Sequence, residues 1–284
     1  MYGLPFPEGV LGEMTYPKDY IGKIICGDCL EVMKGIPDES VDLIFTDPPF
    51  FIRKQIIIHR KVNPRKYEKK DYIHGYKYQG KDIVVGWDWD SQWKDEEEYL
   101  VWVKTWYQEC ARILRKGGHL LIFFDRLRQW WLWKYGTECN MITRQPLYFI
   151  LTNPVPRARQ IDFMGAIYSI FWQTKETYSR KVATFHWEFG QHKNYIEVPI
   201  TPTPRNRERH PTEKHPNIIK WLLKYLSNEN DIIADFFAGT GVVGEVAKKM
   251  KRRYILVEAQ EKYCRIAEKR LKSIPESLFN QGTL

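Results

Sequence analysis

The chain has 284 residues, 43% of them hydrophobic, which suits one large α/β domain or one domain with a small lobe. No run approaches the roughly 18 apolar residues that span a bilayer. The N-terminal stretch MYGLPFPEGVLGEMTYPKD lacks the basic start and apolar core of a secretory leader, so a cytoplasmic protein without a membrane partner is expected.

The predicted elements follow in chain order. KIICG (23–27) is a short strand, and Asp28 is placed to cap a helix running to about Ile36. Val41–Thr46 is a buried strand that must stop at Asp47, because the prolines of FTDPPFF cannot donate to a sheet ladder. Next comes a basic stretch over 51–85. Between Phe51 and Lys81 ten Lys/Arg stand against Glu68 and Asp71, a balance of +8 in a chain whose net charge is +9. Tyr67, Tyr72, Tyr76 and Tyr78 interleave with these cations, a composition suited to a polyanion with stackable bases, and the segment is read as a long loop.

Ser91–Leu114 has helical spacing with acids in its first turn, and Lys116-Gly117-Gly118 is its expected stop. His119–Phe124 is a buried strand, Arg126–Cys139 a Trp-rich helix, and Pro146–Leu151 and Ala166–Trp172 are further strands. From Lys175 to His215 no period survives, which predicts an inserted lobe or set of loops. Asn217–Leu226 then reads as a helix, Asp231–Asp235 as a strand, Thr240–Met250 as a helix, Arg253–Val257 as a strand closed by Glu258, and Glu261–Ile274 as a final helix. This alternation argues a mostly parallel sheet covered on both faces. Trp130, Trp131 and Trp133 are read as packing, and His186, His192 and His210 as hydrogen-bonding loop residues. Cys26-x-x-Cys29 has no second Cys or His pair beside it, so no metal site is expected.

Gly239-Thr240-Gly241-Val242-Val243-Gly244 is a G-x-G-x-x-G between a strand and a helix, with Glu258 at the end of the following strand. Taken alone it also fits a nicotinamide-dinucleotide site, since glycines let the backbone approach a ligand and the acid can hold a ribose. Two features favour S-adenosylmethionine. Asp235, just before the loop, would repel a pyrophosphate but suits the cationic amino group of a methionine moiety. A hydride-transfer enzyme also has no evident use for the stiff DPPF loop.

With GDCLEVMKGIPDESVDLIFTDPPF (27–50), NPVP (153–156), HPTEK (210–214) and DFFAGTGVVG…YILVEA (235–259) in hand, the sequence resembles the amino-methylating DNA methyltransferases, the N6-adenine and N4-cytosine family. The likeness spans most of the chain except about 51–85 and 175–209. Because DPPF precedes the glycine loop, the order is similar to the permuted β-type arrangement of that family. The resemblance implies a Rossmann-like α/β fold with a seven-stranded sheet. Residues 20–174 would form its catalytic half, 175–209 a target-recognition insertion and 210–276 its cofactor-binding half.

It also implies site residues. Asp47 and the carbonyl of Pro48 would accept hydrogen bonds from the target amine, Pro48 and Pro49 would stiffen the loop, and Phe50 would stack on the extruded base. Asp28 would contact the adenine of S-adenosylmethionine and Glu258 its ribose. Asp235, Phe236, Phe237, Gly239, Thr240 and Gly241 would lie on the methionine and backbone side, with Thr212 and Lys214 lining the methionine pocket. Two positions depart from the family pattern: His215 intervenes between Lys214 and Pro216, and Phe50 replaces the tyrosine common in adenine enzymes. The aspartate of the loop favours adenine over cytosine-N4, the alternative. Duplex DNA is the expected partner, met by Arg53, Lys54, Arg60, Lys61, Arg65 and Lys66, and the family permits a homodimer and a cognate restriction enzyme. A catalytically idle DNA-binding accessory is the competing reading from another class.

Overall fold

The computed structural model describes residues 14–51, 92–154, 163–177, 182–200 and 213–275, together with the backbone of three short strands between 56 and 85. The elements in chain order are β1 (Lys23–Cys26), α1 (Cys29–Lys34), β2 (Val41–Thr46), β3 (Ile56–His59), β4 (Tyr76–Gln79), β5 (Asp82–Val85), α2 (Glu96–Ile113), β6 (Leu114–Phe123) and α3 (Gln129–Glu138). They continue with β7 (Met141–Thr143), β8 (Leu147–Leu151), β9 (Ile167–Lys175), β10 (Tyr195–Val198), α4 (Pro216–Leu226), β11 (Ile232–Asp235), α5 (Val242–Lys249), β12 (Arg253–Glu258) and α6 (Glu261–Lys272).

The main sheet runs β1-β12-β11-β2-β6-β9-β8-β10, with β7 pairing onto β9, so it has nine strands where the family resemblance implies seven. Its first five strands are mutually parallel. β9 is antiparallel to both β6 and β8, and β10 pairs parallel to β8. The extra edge strand β10 arises inside the stretch that showed no period. Its four residues, YIEV, are too few for alternation to stand out from a flanking loop.

Central strands buried on both faces read as continuous apolar runs, as IIAD of β11 and YILV of β12 do. Their alternate residues serve two cores. On one face Ile44, Leu120 and Ile255 meet Val32 and Met33 of α1, Trp102, Trp106 and Tyr107 of α2, and Leu132 of α3. On the other, Leu43, Phe45, Leu121, Phe123 and Leu256 meet Leu222 and Leu223 of α4, Val243 and Val246 of α5, and Leu271 of α6.

Three local expectations need correction. The stretch read as a loop over 51–85 contains a three-stranded antiparallel sheet, β3-β5-β4. Its charge hid the β-branched runs Ile56-Ile57-Ile58 and Ile83-Val84-Val85. The glycines at 117 and 118 do not stop α2, which ends at Ile113. They sit within β6, where Val41 pairs with Leu114 but Leu43 already pairs with His119. Gly117 has φ +76°, and a Cβ there would lie 2.5 Å from the Val182 carbonyl oxygen, so the irregularity needs glycine. Of the three tryptophans read as packing, Trp131 packs against the first core, whereas Trp130 and Trp133 are exposed. His186 and His192 do hydrogen-bond within their loop, His186 to Glu188 and to the Ser227 carbonyl, His192 to the Lys193 carbonyl. His210 lies outside the described residues.

Candidate active site

After β2 the chain crosses to α2 on the first face, whereas after the adjacent strand β11 it crosses to α5 on the second. Neighbouring strands that send their chains to opposite faces leave a crevice at their carboxyl ends, the place where open α/β sheets bind ligands. Asp47 stands on one side of this switch point and Asp235 on the other. Thr46, the last residue of β2, donates from Oγ1 to Asp235 Oδ1 at 2.9 Å and ties the two strand ends together.

Asp235 is buried, and its Oδ1 also accepts from the Phe237 N–H at 3.1 Å. Burial pushes its pKa up to about 7 against the pull of these two donors, with Asp47 and Glu258 adding like-charge repulsion. Among the described residues no cation pairs with it. A buried carboxylate held in place but left without a counter-charge suits a ligand that brings a positive amine.

The glycine loop follows Asp235 and is itself largely buried. Gly239 and Gly241 have φ of +51° and +75°, and Gly241 is the N-terminal cap of α5. A Cβ at Gly241 would meet Ala267 Cβ of α6 at 2.8 Å, so helix packing as well as conformation requires glycine there. Gly244 serves packing alone, since its Cβ would meet Leu256 Cδ1 at 2.5 Å. Glu258 ends β12 with both oxygens aimed: Gly239 N–H donates to Oε2 at 2.8 Å and Gln260 N–H to Oε1 at 2.9 Å. Burial raises its pKa, opposed by those amides. On the neighbouring strand end, Asp28 caps α1 by accepting from Leu30 N–H at 2.8 Å and Glu31 N–H at 3.4 Å. Phe236 is core, and Phe237 packs between Trp102 and Trp106 of α2, with ring centroids 5.6 and 5.7 Å away.

The loop after β2 is braced from outside. Tyr99 Oη donates to the Pro49 carbonyl at 2.8 Å, and Arg128 Nη1 to the Phe50 carbonyl at 3.3 Å. Phe51 adopts φ +57°, a conformation that costs a non-glycine residue about 1–3 kcal/mol. It is held there by stacking on Tyr99 at 5.1 Å and by an edge contact with Trp93 at 6.2 Å. Phe50 stays partly exposed, edge-on to Phe124. Asp47 is largely buried, which raises its pKa, while the ammonium of Lys214 in ion-pair contact pulls it back down. His215 caps α4 by accepting from Asn217 N–H at 3.1 Å, with Pro216 in the first turn, so the residue that breaks the family pattern starts a helix.

The fold thus brings Asp28, Asp47, Pro48, Pro49, Phe50, Lys214, Asp235, Phe236, Phe237, Gly239, Thr240, Gly241 and Glu258 to one end of the sheet. Thr212 and the proposed DNA contacts Arg53, Lys54, Arg60, Lys61, Arg65 and Lys66 lie outside the described residues. Sequence reasoning missed Tyr99, whose only signal was helical spacing, and Arg128, which stands just before α3 and carried none. It also missed Glu213, which sits between two residues it named. Among the described residues no group of His, Cys, Asp and Glu is arranged to hold a metal ion, and no helix is long and apolar enough to cross a membrane.

Comparison with known proteins supplies a family and a fold. A family model described as DNA methylase matches residues 41–269. The type II methyltransferase M.HinfI of Haemophilus influenzae is 28% identical over 269 residues, covering 90% of this chain and 70% of its own. Among solved structures, the M1.HpyAVI–SAM complex superposes with TM-score 0.64 at 19% identity, covering 88% of this chain and 98% of that one. The PvuII DNA methyltransferase, cytosine-N4-specific, does so with TM-score 0.65 at 17% identity and 90% coverage of each chain. At those identities the two structures speak for the fold.

Proposed function

The chain belongs to this family of DNA methylases, and from that premise we propose that it methylates the N6 amine of adenine in DNA, using S-adenosylmethionine. The observation that carries the reading is Asp47 at the head of a proline-stiffened loop, beside a buried Asp235 that no cation pairs with among the described residues. Members of the family that act on cytosine-N4 more often have serine where Asp47 stands.

When bound, the cofactor supplies an electrophilic methyl group on a sulfonium. Asp235 would take its ammonium, Glu258 the ribose hydroxyls and Asp28 the adenine. Phe236, Phe237, Gly239, Thr240 and Gly241 would border its methionine and backbone side, and Thr212 and Lys214 would line the methionine end. The residues around Asp47 then act on the target. An exocyclic amine is a poor nucleophile because its lone pair is delocalised into the ring. Asp47 and the Pro48 carbonyl accept its two hydrogens and turn the lone pair outward, and Asp47 receives the proton released after transfer. Phe50 offers a ring face to a base swung out of the duplex, where alone the amine is reachable. No covalent enzyme intermediate is needed, since the work is proximity and orientation.

The test is direct. The protein is incubated with unmethylated DNA and S-adenosylmethionine, and the digested nucleosides are identified by mass spectrometry. N6-methyladenine is expected. N4-methylcytosine would keep the family and overturn the adenine reading. Absence of product on duplex DNA, single-stranded DNA and RNA would favour the idle accessory. The proposal extends to a cognate restriction endonuclease, supported by the likeness to a type II methyltransferase, and to a homodimer, which sedimentation velocity decides.

A further inference from the structure

Glu213 and Lys214 are adjacent in the chain, yet their side chains serve opposite halves of the site. Lys214 Nζ pairs with Asp47 and lies 4.7 Å from the centroid of the Phe123 ring. Glu213 Oε2 accepts from Thr240 Oγ1 in the glycine loop and from Arg270 Nη2 of α6 at 2.8 Å. Arg270 in turn brings Nε within 3.3 Å of Glu245 on α5. The side chains of Glu213 and Arg270 are only 5% and 4% exposed. Taking such charges out of water is costly, and among the described residues Nη1 of Arg270 finds no hydrogen-bond acceptor while Nε has only the longer ion-pair contact with Glu245. A cluster of this kind is a poor source of stability, and its placement suggests another purpose.

We propose that Glu213 is a positioning residue. Anchored by Arg270 and Thr240, it fixes the backbone from which Lys214 reaches Asp47, so that one dipeptide couples the glycine loop to the catalytic carboxylate. The inference rests on the reading of Asp47 as the acceptor of the target amine. Among the described residues the charged groups that face Asp47 are Lys214 from the segment before α4 and Asp235 from the end of β11.

Positioning and simple electrostatics predict opposite signs. Removing the negative charge of Glu213 would, by charge alone, ease ionisation of Asp47 and lower its titration midpoint. If Glu213 holds Lys214 in place, its loss frees the ammonium and the midpoint of Asp47 rises.

The experiment is a 13C titration of aspartate carboxyls in the full chain without cofactor or DNA, with the Asp47 signal assigned by its loss in Asp47→Asn. Lys214→Met, Glu213→Gln and Glu213→Asp are all expected to raise the Asp47 midpoint. Glu213→Asp keeps the charge and withdraws it by one methylene, and remains available should the glutamine variant fail to fold. The double variant E213Q/K214M should go no higher than K214M alone. Arg270→Met should act like Glu213→Gln, with partial rescue by Arg270→Lys. A midpoint that falls or stays put in both Glu213 variants overturns the inference, as does an unmoved midpoint in Lys214→Met. Methyl transfer by the wild-type chain is measured separately, so failure of the catalytic reading and failure of the coupling are told apart.

Discussion

Asp47 is close enough to Asp235 to disfavour its charge, yet the two carboxylates face different chemistry. With its pKa near 7, Asp235 is largely protonated in the ligand-free protein at pH 6. A cationic amine arriving beside it favours the charged form, so binding of S-adenosylmethionine below pH 7 should release a proton. Calorimetry at pH 6 in two buffers of different ionisation enthalpy should show this release, and Asp235→Asn should abolish it. The same shift has a stability sign. The folded pKa lies above the ordinary 3.8, so the folded state holds the extra proton between the two values. This contribution is fully present below about pH 4 and is lost as pH rises through 7. Asp235→Asn should therefore flatten the decline in thermal stability across that window. Asp47→Ala probes the other carboxylate: turnover should vanish while cofactor affinity stays within a few-fold. A clean preparation of that variant that still methylates DNA would remove Asp47 from the mechanism.

At the scale of elements, the loop after β2 owes its shape to helices that pack against it in space rather than to its own prolines alone. Tyr99 in the first turns of α2 holds the Pro49 carbonyl and stacks on Phe51. Tyr99→Phe keeps the stack and deletes the hydrogen bond, which is worth about 1 kcal/mol. The expected result is a several-fold lower kcat, with the KM for cofactor unchanged and only a small drop in Tm. Gly241→Ala should do the reverse, raising the cofactor KM and destabilising the fold by about 1–2 kcal/mol for the left-handed conformation alone. Much of the site was legible because its chemistry sits where a strand must end. Prolines stop β2 beside Asp47, glycines open the turn after Asp235, and Glu258 closes β12. Tyr99, Arg128, Glu213 and Arg270 were not legible, because each acts on a partner distant in sequence. Helical spacing predicts that Tyr99 faces inward, but not that a carbonyl fifty residues earlier awaits it.

For the whole molecule, strands and helices could be read from periodicity, but the order β1-β12-β11-β2-β6 could not, since it pairs β1 with β12 and β2 with β11 across most of the length of the chain. That order is what sets Asp47 beside Asp235. Charge is the other property of the whole chain, and it is unevenly spent, with a balance of +8 between Phe51 and Lys81 out of a net +9. A polyanion releases counterions when cations neutralise its phosphates, and log K falls with log salt by about 0.9 per phosphate contact on duplex DNA. If Arg53, Lys54, Arg60, Lys61, Arg65 and Lys66 supply such contacts, replacing all six by glutamine should make the slope shallower by up to about five. Cofactor binding at the far side of the switch point should be untouched, because no phosphate is involved there. The measurement is DNA affinity by fluorescence anisotropy across a salt series, with Asp47→Ala as a control that alters the target site but not the net basic balance of 51–81. A slope unchanged in the six-fold variant would move the DNA-binding surface elsewhere on the chain and leave the excess charge of this stretch without a partner.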